Sequence, residues 1–221
     1  MGFPFFIYFG ELMIYKKLYN SPLGEILILG DFEGILGIYF ECQREFYDFL
    51  NNEEIKNFED TKNFELKYKN LKGKSLFHEK SKVSGEDICE NKIFDETKRW
   101  LDIYFSRKEP KFTPKLNIRG SEFRKAVWKI LLEIPYGKTL TYKAIAEKLV
   151  ESKKYERMSA QAVGGAVGHN PISIIIPCHR VVGASGSLTG YAGGLDRKVK
   201  LLELEGVNMN KFFMPKNINN F

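Results

Sequence analysis

A candidate nucleophile in this 221-residue chain is the cysteine in the run Pro177-Cys178-His179-Arg180. The thiolate, not the thiol, is the nucleophile, and a neighbouring imidazole or cation draws a thiol pKa down from about 8.5 towards neutrality. The same dipeptide is equally what a packed core cysteine beside a solvent-facing histidine would look like. Adjacent side chains on an extended backbone point to opposite faces, so His179 can serve Cys178 only through a curved backbone or a bridging water. A second unusual feature lies just upstream. Ser159 can cap a helix over Ala160 to Gly168 that carries Ala160, Ala162, Gly164, Gly165 and Ala166. Each mid-helix glycine costs about 1 kcal/mol relative to alanine, so a surface that comes close to this bare cylinder must offset the loss. That surface is either another helix of the same protein or a nucleic-acid backbone or groove.

Charge bears on the choice. The chain carries a net +6, yet residues 1 to 118 hold 18 Lys/Arg against 20 Asp/Glu, and residues 119 to 221 hold 16 against 8. A cationic second half suits a polyanion, because phosphate contacts release condensed counterions. A lysine-rich solvated surface gives the same arithmetic. Hydrophobic residues at 43% and charged residues at 28% place the chain among globular proteins and exclude wholesale disorder. Three cysteines, Cys42, Cys89 and Cys178, are too few for a disulfide scaffold and favour a reducing, cytoplasmic setting. The apolar start, Met1 to Ile14, has no basic flank and about half the length of a spanning helix, so neither export nor a membrane anchor is expected. No phosphate loop or dinucleotide fingerprint is present.

The elements that must position the thiol follow from spacing. Tyr15–Tyr19, Glu25–Leu29 and Ile35–Phe40, separated by turn residues, read as an antiparallel meander. A short helix and an irregular connection should occupy 43–90, and a helix 91–105, closed by Pro110 and Pro114. Lys108 to Gly120 is the expected linker. Ser121 caps a helix that Pro135 and Gly137 end, and Thr141 caps the next, with Ile145 and Leu149 inward. With the helix from Ser159 this resembles a helix-turn-helix, although the polar insert Glu151 to Met158 is long for a tight turn. Ile172 to Ile176 reads as a buried strand, and a last helix runs from Asp196 to Gly206.

From Gln161 through Gly183, with Gly190-Tyr-Ala-Gly-Gly-Leu195 beyond, the sequence resembles the O6-alkylguanine-DNA alkyltransferases. The resemblance spans roughly Phe94 to Gly206, including Ile134-Pro-Tyr-Gly-Lys-Thr-Leu-Thr-Tyr142, and continues more weakly over Leu18 to Phe40. It implies an α+β protein: an N-terminal ribonuclease-H-like α/β domain, placed at 1–110, and a mainly helical, winged-helix-like DNA-binding domain at 118–221. It also implies direct-reversal repair, in which an alkylated guanine, with O4-alkylthymine a further candidate, is flipped from duplex DNA and its alkyl group passes once, irreversibly, to Cys178. His179 and Glu205 match a relay that supports the thiolate, Asn170 a brace beside the site, and Tyr142 a residue that turns the nucleotide and donates to the leaving base. Val181, Tyr191 and Ala192 match pocket positions; Gln161, Lys143, Arg124 and Ala184 match positions close to DNA. The damaged base supplies the alkyl group, so no cofactor is expected, and neither is an obligate protein partner; the implied state is a monomer.

One departure stands out: the family usually carries an arginine where this chain has Gln161, which lacks the guanidinium plane and charge. Some relatives hold zinc in the first domain, but Cys42, His78 and Cys89 lack compact ligand spacing, so no metal is expected. Two other classes fit parts of the pattern. A non-catalytic lesion-binding module would have lost the acceptor cysteine, and a cysteine hydrolase using Cys178 and His179 would need an oxyanion hole and would turn over.

Overall fold

A computed structural model describes residues 14–52, 55–57 and 92–214; the expectations for His78, Cys89, the start of the chain and most of 53–91 lie outside the described residues. The meander is present as β1 (Tyr15–Ser21), β2 (Gly24–Asp31) and β3 (Gly34–Phe40), joined antiparallel from Ser21↔Gly24 to Tyr15↔Gly30 and from Asp31↔Gly34 to Ile26↔Phe40. A short β4 (Lys56–Asn57) adds parallel to β1, giving the order β3-β2-β1-β4. Along β2 the side chains alternate between two cores. Ile26 and Ile28 join the large core with Leu101 and Tyr104 of α2 (Lys92–Phe105), whereas Leu27 and Leu29 pack with Phe46 of α1 (Arg44–Leu50). A helix on each face explains why β2 reads as unbroken Ile-Leu-Ile-Leu; full burial of each such side chain stabilises by about 1.5–3 kcal/mol.

The second half begins with α3 (Glu122–Leu132), whose N-cap Ser121 accepts from Arg124 N–H. β5 (Leu140–Thr141) leads into α4 (Tyr142–Glu151), capped by Thr141, and α5 (Ala160–Gly168) is capped by Ser159. The α5 bounds are those the sequence predicts. Trp128 of α3 donates from Nε1 to Ala166 O at 2.9 Å and so ties the two helices together. A two-residue parallel ladder of β5 with β6 (Val181–Val182) and a last helix, α6 (Leu195–Leu204), complete an α+β molecule.

The strand expected over Ile172–Ile176 is absent. Only Ile172 forms an isolated bridge, to Ile38, and the chain then coils, with Ile175 N–H on Ser173 O, Ile176 N–H on Ile172 O and Ile174 at φ +70°. A left-handed conformation at a β-branched residue is strained and persists only where the surroundings over-determine it. Here they do: Ile172, Ile174 and Ile176 are all fully buried. Burial, which the apolar run signals correctly, does not distinguish a strand from a packed coil.

The second half and the linker before it both pack along β3. Ile38 N–H donates to Pro171 O at 2.8 Å and Ile38 O accepts from Ser173 N–H at 3.1 Å, while Ile35 pairs in the same manner with Lys115 and Asn117. Asp31 closes the seam, its buried carboxylate accepting from the amides of Glu33 and Gly34, from Asn117 Nδ2 and from Arg119 Nη2. Asp31→Ala is therefore expected to cost about 2 kcal/mol in urea unfolding, chiefly by stranding those donors; a loss under about 0.5 kcal/mol would show that water replaces the carboxylate freely.

Candidate functional site

Asn170, immediately after α5, builds the turn that carries the thiol. Its Oδ1 accepts from Ile172 N–H at 3.0 Å, and its Nδ2 donates to Ile176 O at 2.8 Å and to Cys178 Sγ at 3.0 Å. One amide thus replaces the ladder a strand would have supplied and aims a hydrogen bond at the sulfur. Cys178 opens a 3-10 turn, Cys178–Arg180, so the backbone is curved where a strand would have thrown His179 to the opposite face. The sulfur is buried, with the residue 5% exposed. Burial pushes the thiol above its ordinary value, and the Asn170 hydrogen bond and the Lys198 charge act against that push.

His179 and Arg180 turn inward onto Glu205, which ends α6. His179 Nε2 lies 2.7 Å from Glu205 Oε1, Arg180 grips both carboxylate oxygens through Nε and Nη2, Tyr104 OH donates at 2.8 Å and Gly137 N–H at 3.0 Å. Burial alone would raise the Glu205 carboxyl, but the His179 hydrogen bond and the neighbouring Arg180 hold it down to about 2. Burial lowers His179 below its ordinary value in spite of Glu205. The pair is thus a neutral imidazole donating Nε2–H to an ionised carboxylate, which leaves Nδ1 as the basic nitrogen. Nδ1 is buried and has no hydrogen-bond partner within the protein. Glu205 is no surface charge, and its separation of 26 positions from His179 is closed by folding α6 back onto the turn.

The pocket wall comes from the loop before α6. Lys198, fully buried, donates from Nζ to Val181 O at 2.6 Å, Thr189 O at 2.8 Å and Gly190 O at 3.3 Å. Burial lowers this ammonium to about 8, and the Cys178 charge works the other way. Tyr142 OH donates to the same Thr189 carbonyl at 3.1 Å. Tyr191 faces the His179 ring at a centroid distance of 6.4 Å, Val181 is buried and Ala192 is exposed. Gly193 sits where a Cβ would come within 2.7 Å of the Tyr191 ring and 3.0 Å of Phe40, so only glycine lets this loop lie against β3. Two surface grooves do not open on the sulfur: one runs beside Lys17, Tyr19 and Asp102, the other behind Arg180 between Trp100 and Tyr136.

Asn170, Cys178, His179, Glu205, Tyr142, Tyr191 and Val181 therefore converge. Gln161, Lys143 and Ala184 do not join them; they stand exposed on the outer face, with Arg124 half-buried beside Ser121. On α5 a Cβ at Gly165 or Gly168 would meet nothing within 4 Å, and one at Gly164 only the Tyr142 ring at 3.9 Å. At Gly165 and Gly168 the bare face of α5 is thus open for an external surface, while Gly164 approaches Tyr142 of α4. Sequence reasoning missed Tyr104 and Lys198 as parts of the site. Their signal was available: Lys198, Leu201, Leu202 and Glu205 lie at helical spacing, and a lysine on a buried stripe needs a reason. Among the described residues no three His, Cys, Asp or Glu side chains cluster as a metal site would require.

The depressed Glu205 pKa has a measurable sign. Its contribution to stability is complete above the ordinary value of 4.5 and is lost as pH falls towards about 2. Glu205→Gln should lower stability at pH 7 by about 3 kcal/mol, because Arg180 is left buried without a counter-charge. It should also flatten the loss of stability between those two pH values, followed by urea unfolding; an unchanged acid slope would contradict the depressed carboxyl.

Two family models match the chain: the ribonuclease-like domain of 6-O-methylguanine DNA methyltransferase over residues 14–118 and its DNA-binding domain over 122–207. The methylated-DNA--protein-cysteine methyltransferase of Methanosarcina acetivorans is 40% identical over 194 residues, covering 87% of this chain and 99% of that protein. Its Methanosarcina mazei counterpart is 48% identical over 196 residues, covering 89% and 99%. Among solved structures, Mycobacterium tuberculosis O6-methylguanine methyltransferase superposes with a TM-score of 0.62 at 32% identity over 87% of this chain and 93% of that one. The complex of Mycobacterium tuberculosis OGT with DNA gives 0.63 at 31% identity, covering 90% and 94%. With both domains matched, full-length relatives at 40% identity or above, and the thiol turn, buried imidazole–carboxylate pair and open helix face in one molecule, the chain belongs to the 6-O-methylguanine DNA methyltransferase family.

Proposed function

We propose that this protein repairs duplex DNA by taking the alkyl group from O6 of an alkylated guanine onto Cys178 Sγ, once per molecule. The observation that carries the reading is His179: it commits Nε2 to Glu205 and keeps a buried, unpartnered Nδ1 on the residue next to the thiol. The Cys178 proton passes to that nitrogen, through water where the two atoms do not touch. The resulting imidazolium is stabilised by the ionised Glu205, and the thiolate by the Asn170 amide and the Lys198 ammonium. The thiolate attacks the alkyl carbon in line, the S–C bond forms as the C–O bond breaks, and the electron pair leaves on guanine O6. Tyr142 is placed to donate a proton or hydrogen bond to the departing base once its hydroxyl leaves Thr189 O. Val181, Tyr191 and Ala192 line the base. The thioether has no route back, so each molecule reacts once, without a cofactor.

The open face of α5, with Gln161 at its first turn and Lys143, Arg124 and Ala184 around it, is the surface we assign to the duplex. The protein acts as a monomer in the cytoplasm, a reducing setting that suits its sparse cysteines. The hydrolase reading finds no support in the turn, because Cys178 N–H donates to Ile176 O at 2.8 Å and Arg180 N–H to Pro177 O at 3.0 Å. Those amides are not free to form an oxyanion hole.

Incubation with duplex DNA carrying radiolabelled O6-methylguanine should place one equivalent of label on the peptide containing Cys178, and Cys178→Ala should abolish transfer while retaining DNA binding. Release of label beyond one equivalent, or label on another residue, would refute the assignment. Gln161→Arg should tighten duplex binding several-fold by adding a cation to the recognition helix, as a titration at fixed salt would show; identical affinities would remove residue 161 from the interface.

A further inference from the structure

Between α4 and α5 the chain does not turn directly. Past the C-cap Ser152, Lys153 adopts φ +59° with its N–H on Val150 O at 2.9 Å, which ends the helix and sends the backbone outward. The excursion is then pinned twice. The Tyr155 ring meets Phe123 of α3 edge-on, with centroids 5.8 Å apart and planes at 73°, and Met158 packs half-buried against the core one residue before the α5 cap. Between these two posts Lys153, Lys154, Glu156 and Arg157 are exposed. An ordered segment with apolar anchors and outward charges is a platform, whereas a slack connector would need no anchors.

Two of the cations near this platform are neutralised on their own helices. Lys125 and Lys143 each have an acidic partner on their own helix, Glu122 at 3.2 Å and Glu147 at 3.7 Å. Lys153, Lys154 and Arg157 form no ion pair among the described residues. These three cations outnumber the acidic residues nearby, Glu156 within the segment and Glu151 just before it, and they stand beside the positive end of the α5 dipole, so their closest match is a polyanion. The same helix lacks a cation at Gln161.

We propose, on the reading that the α5 face meets duplex DNA, that the 153–157 platform is a phosphate grip: Lys153, Lys154 and Arg157 hold the DNA backbone flanking the lesion and supply the charge that α5 itself does not carry. The contacts are to phosphate, so they add affinity without sequence preference.

The test compares wild type, Arg157→Gln, and a triple variant with Lys153→Gln, Lys154→Gln and Arg157→Gln, using an undamaged duplex over a salt series and free O6-methylguanine as a phosphate-free alkyl donor. Each phosphate contact contributes about 0.9 to the slope of log K against log salt. Arg157→Gln should lower that slope by about 1 and the triple variant by about 2–3, with affinity at low salt down at least tenfold. Transfer from the free base to Cys178 should be unchanged. Equal slopes overturn the proposal, as does weaker binding with an unchanged slope, which would mean that the segment only holds α5 in place. A wild type that takes label neither from free O6-methylguanine nor from a separate duplex carrying the labelled lesion sinks the repair reading itself, an outcome distinct from wild-type repair with salt-insensitive variants.

Discussion

A carboxylate without water is expensive, and the way Glu205 is satisfied organises the rest of this molecule. Moving an isolated carboxylate into an apolar interior costs several kcal/mol even after relaxation, unless charge and hydrogen bonds are supplied together. Glu205 receives both, from four places in the chain: Tyr104 on α2, Gly137 before β5, and His179 and Arg180 on the thiol turn. Each donor is itself fixed by something else, Arg180 by Ile134 O at 2.7 Å and by lying over the Tyr136 ring. The carboxylate therefore does more than orient one imidazole. It sets the tautomer of His179 and anchors the turn on which Cys178 sits, and through Tyr104 it draws the N-terminal half into the site.

That last link gives the first half a part in the chemistry. β3 runs past both walls of the pocket: Ile38 is hydrogen-bonded to Pro171 and Ser173 on one side, and the Phe40 ring sits under Gly193 on the other. Arg197 reinforces the second contact, lying over Phe40, reaching Glu41 at 2.9 Å and donating to Leu23 O. Cys42 adds a thiol contact to Gly193 O at 3.3 Å. Interfaces between domains of one chain are usually polar and allow relative motion. This one contains backbone ladder bonds, which break only in whole units. The strained Ile174 is held between Asn170 on its own side and β3 on the other, which is the over-determination that such a conformation requires.

Much of this was legible in the sequence because it follows from local rules. The meander, the capped helices and the bounds of α5 come from turn residues, Ser and Thr caps and periodicity, and the resemblance singles out Cys178, His179 and Glu205, which the fold brings together. What was not legible is set by single side chains acting over distance. The strand expected at Ile172–Ile176 failed because the hydrogen bonds of that segment go to the Asn170 side chain, and no apolar pattern records such a bond. Tyr104 read as core because it is core; its hydroxyl acquires a role only when α2 and α6 pack together. Lys198 was visible as an anomaly on a buried stripe, but its three carbonyl partners lie 8 to 17 residues away in loops without a pattern of their own.

The remaining tension is between a buried sulfur and a bulky substrate. Cys178 is almost wholly covered, and Tyr142, which we propose meets the base, is already bonded to Thr189 O. That carbonyl has a second donor in Lys198 Nζ at 2.8 Å. A buried acceptor stripped of its only partner loses about 1–3 kcal/mol, but one that keeps an ammonium does not, so Tyr142 can swing away without leaving an orphan behind. Gly190 beside the Tyr142 hydroxyl and Gly193 against Phe40 keep the same loop free of side chains at its two closest approaches. Tyr142 is thus held over the loop by a bond that is individually weak and already backed up. The energy needed to open it is then small enough for contacts with an extruded base to supply, whereas the turn beneath, tied to Asn170 and Glu205, need not move at all.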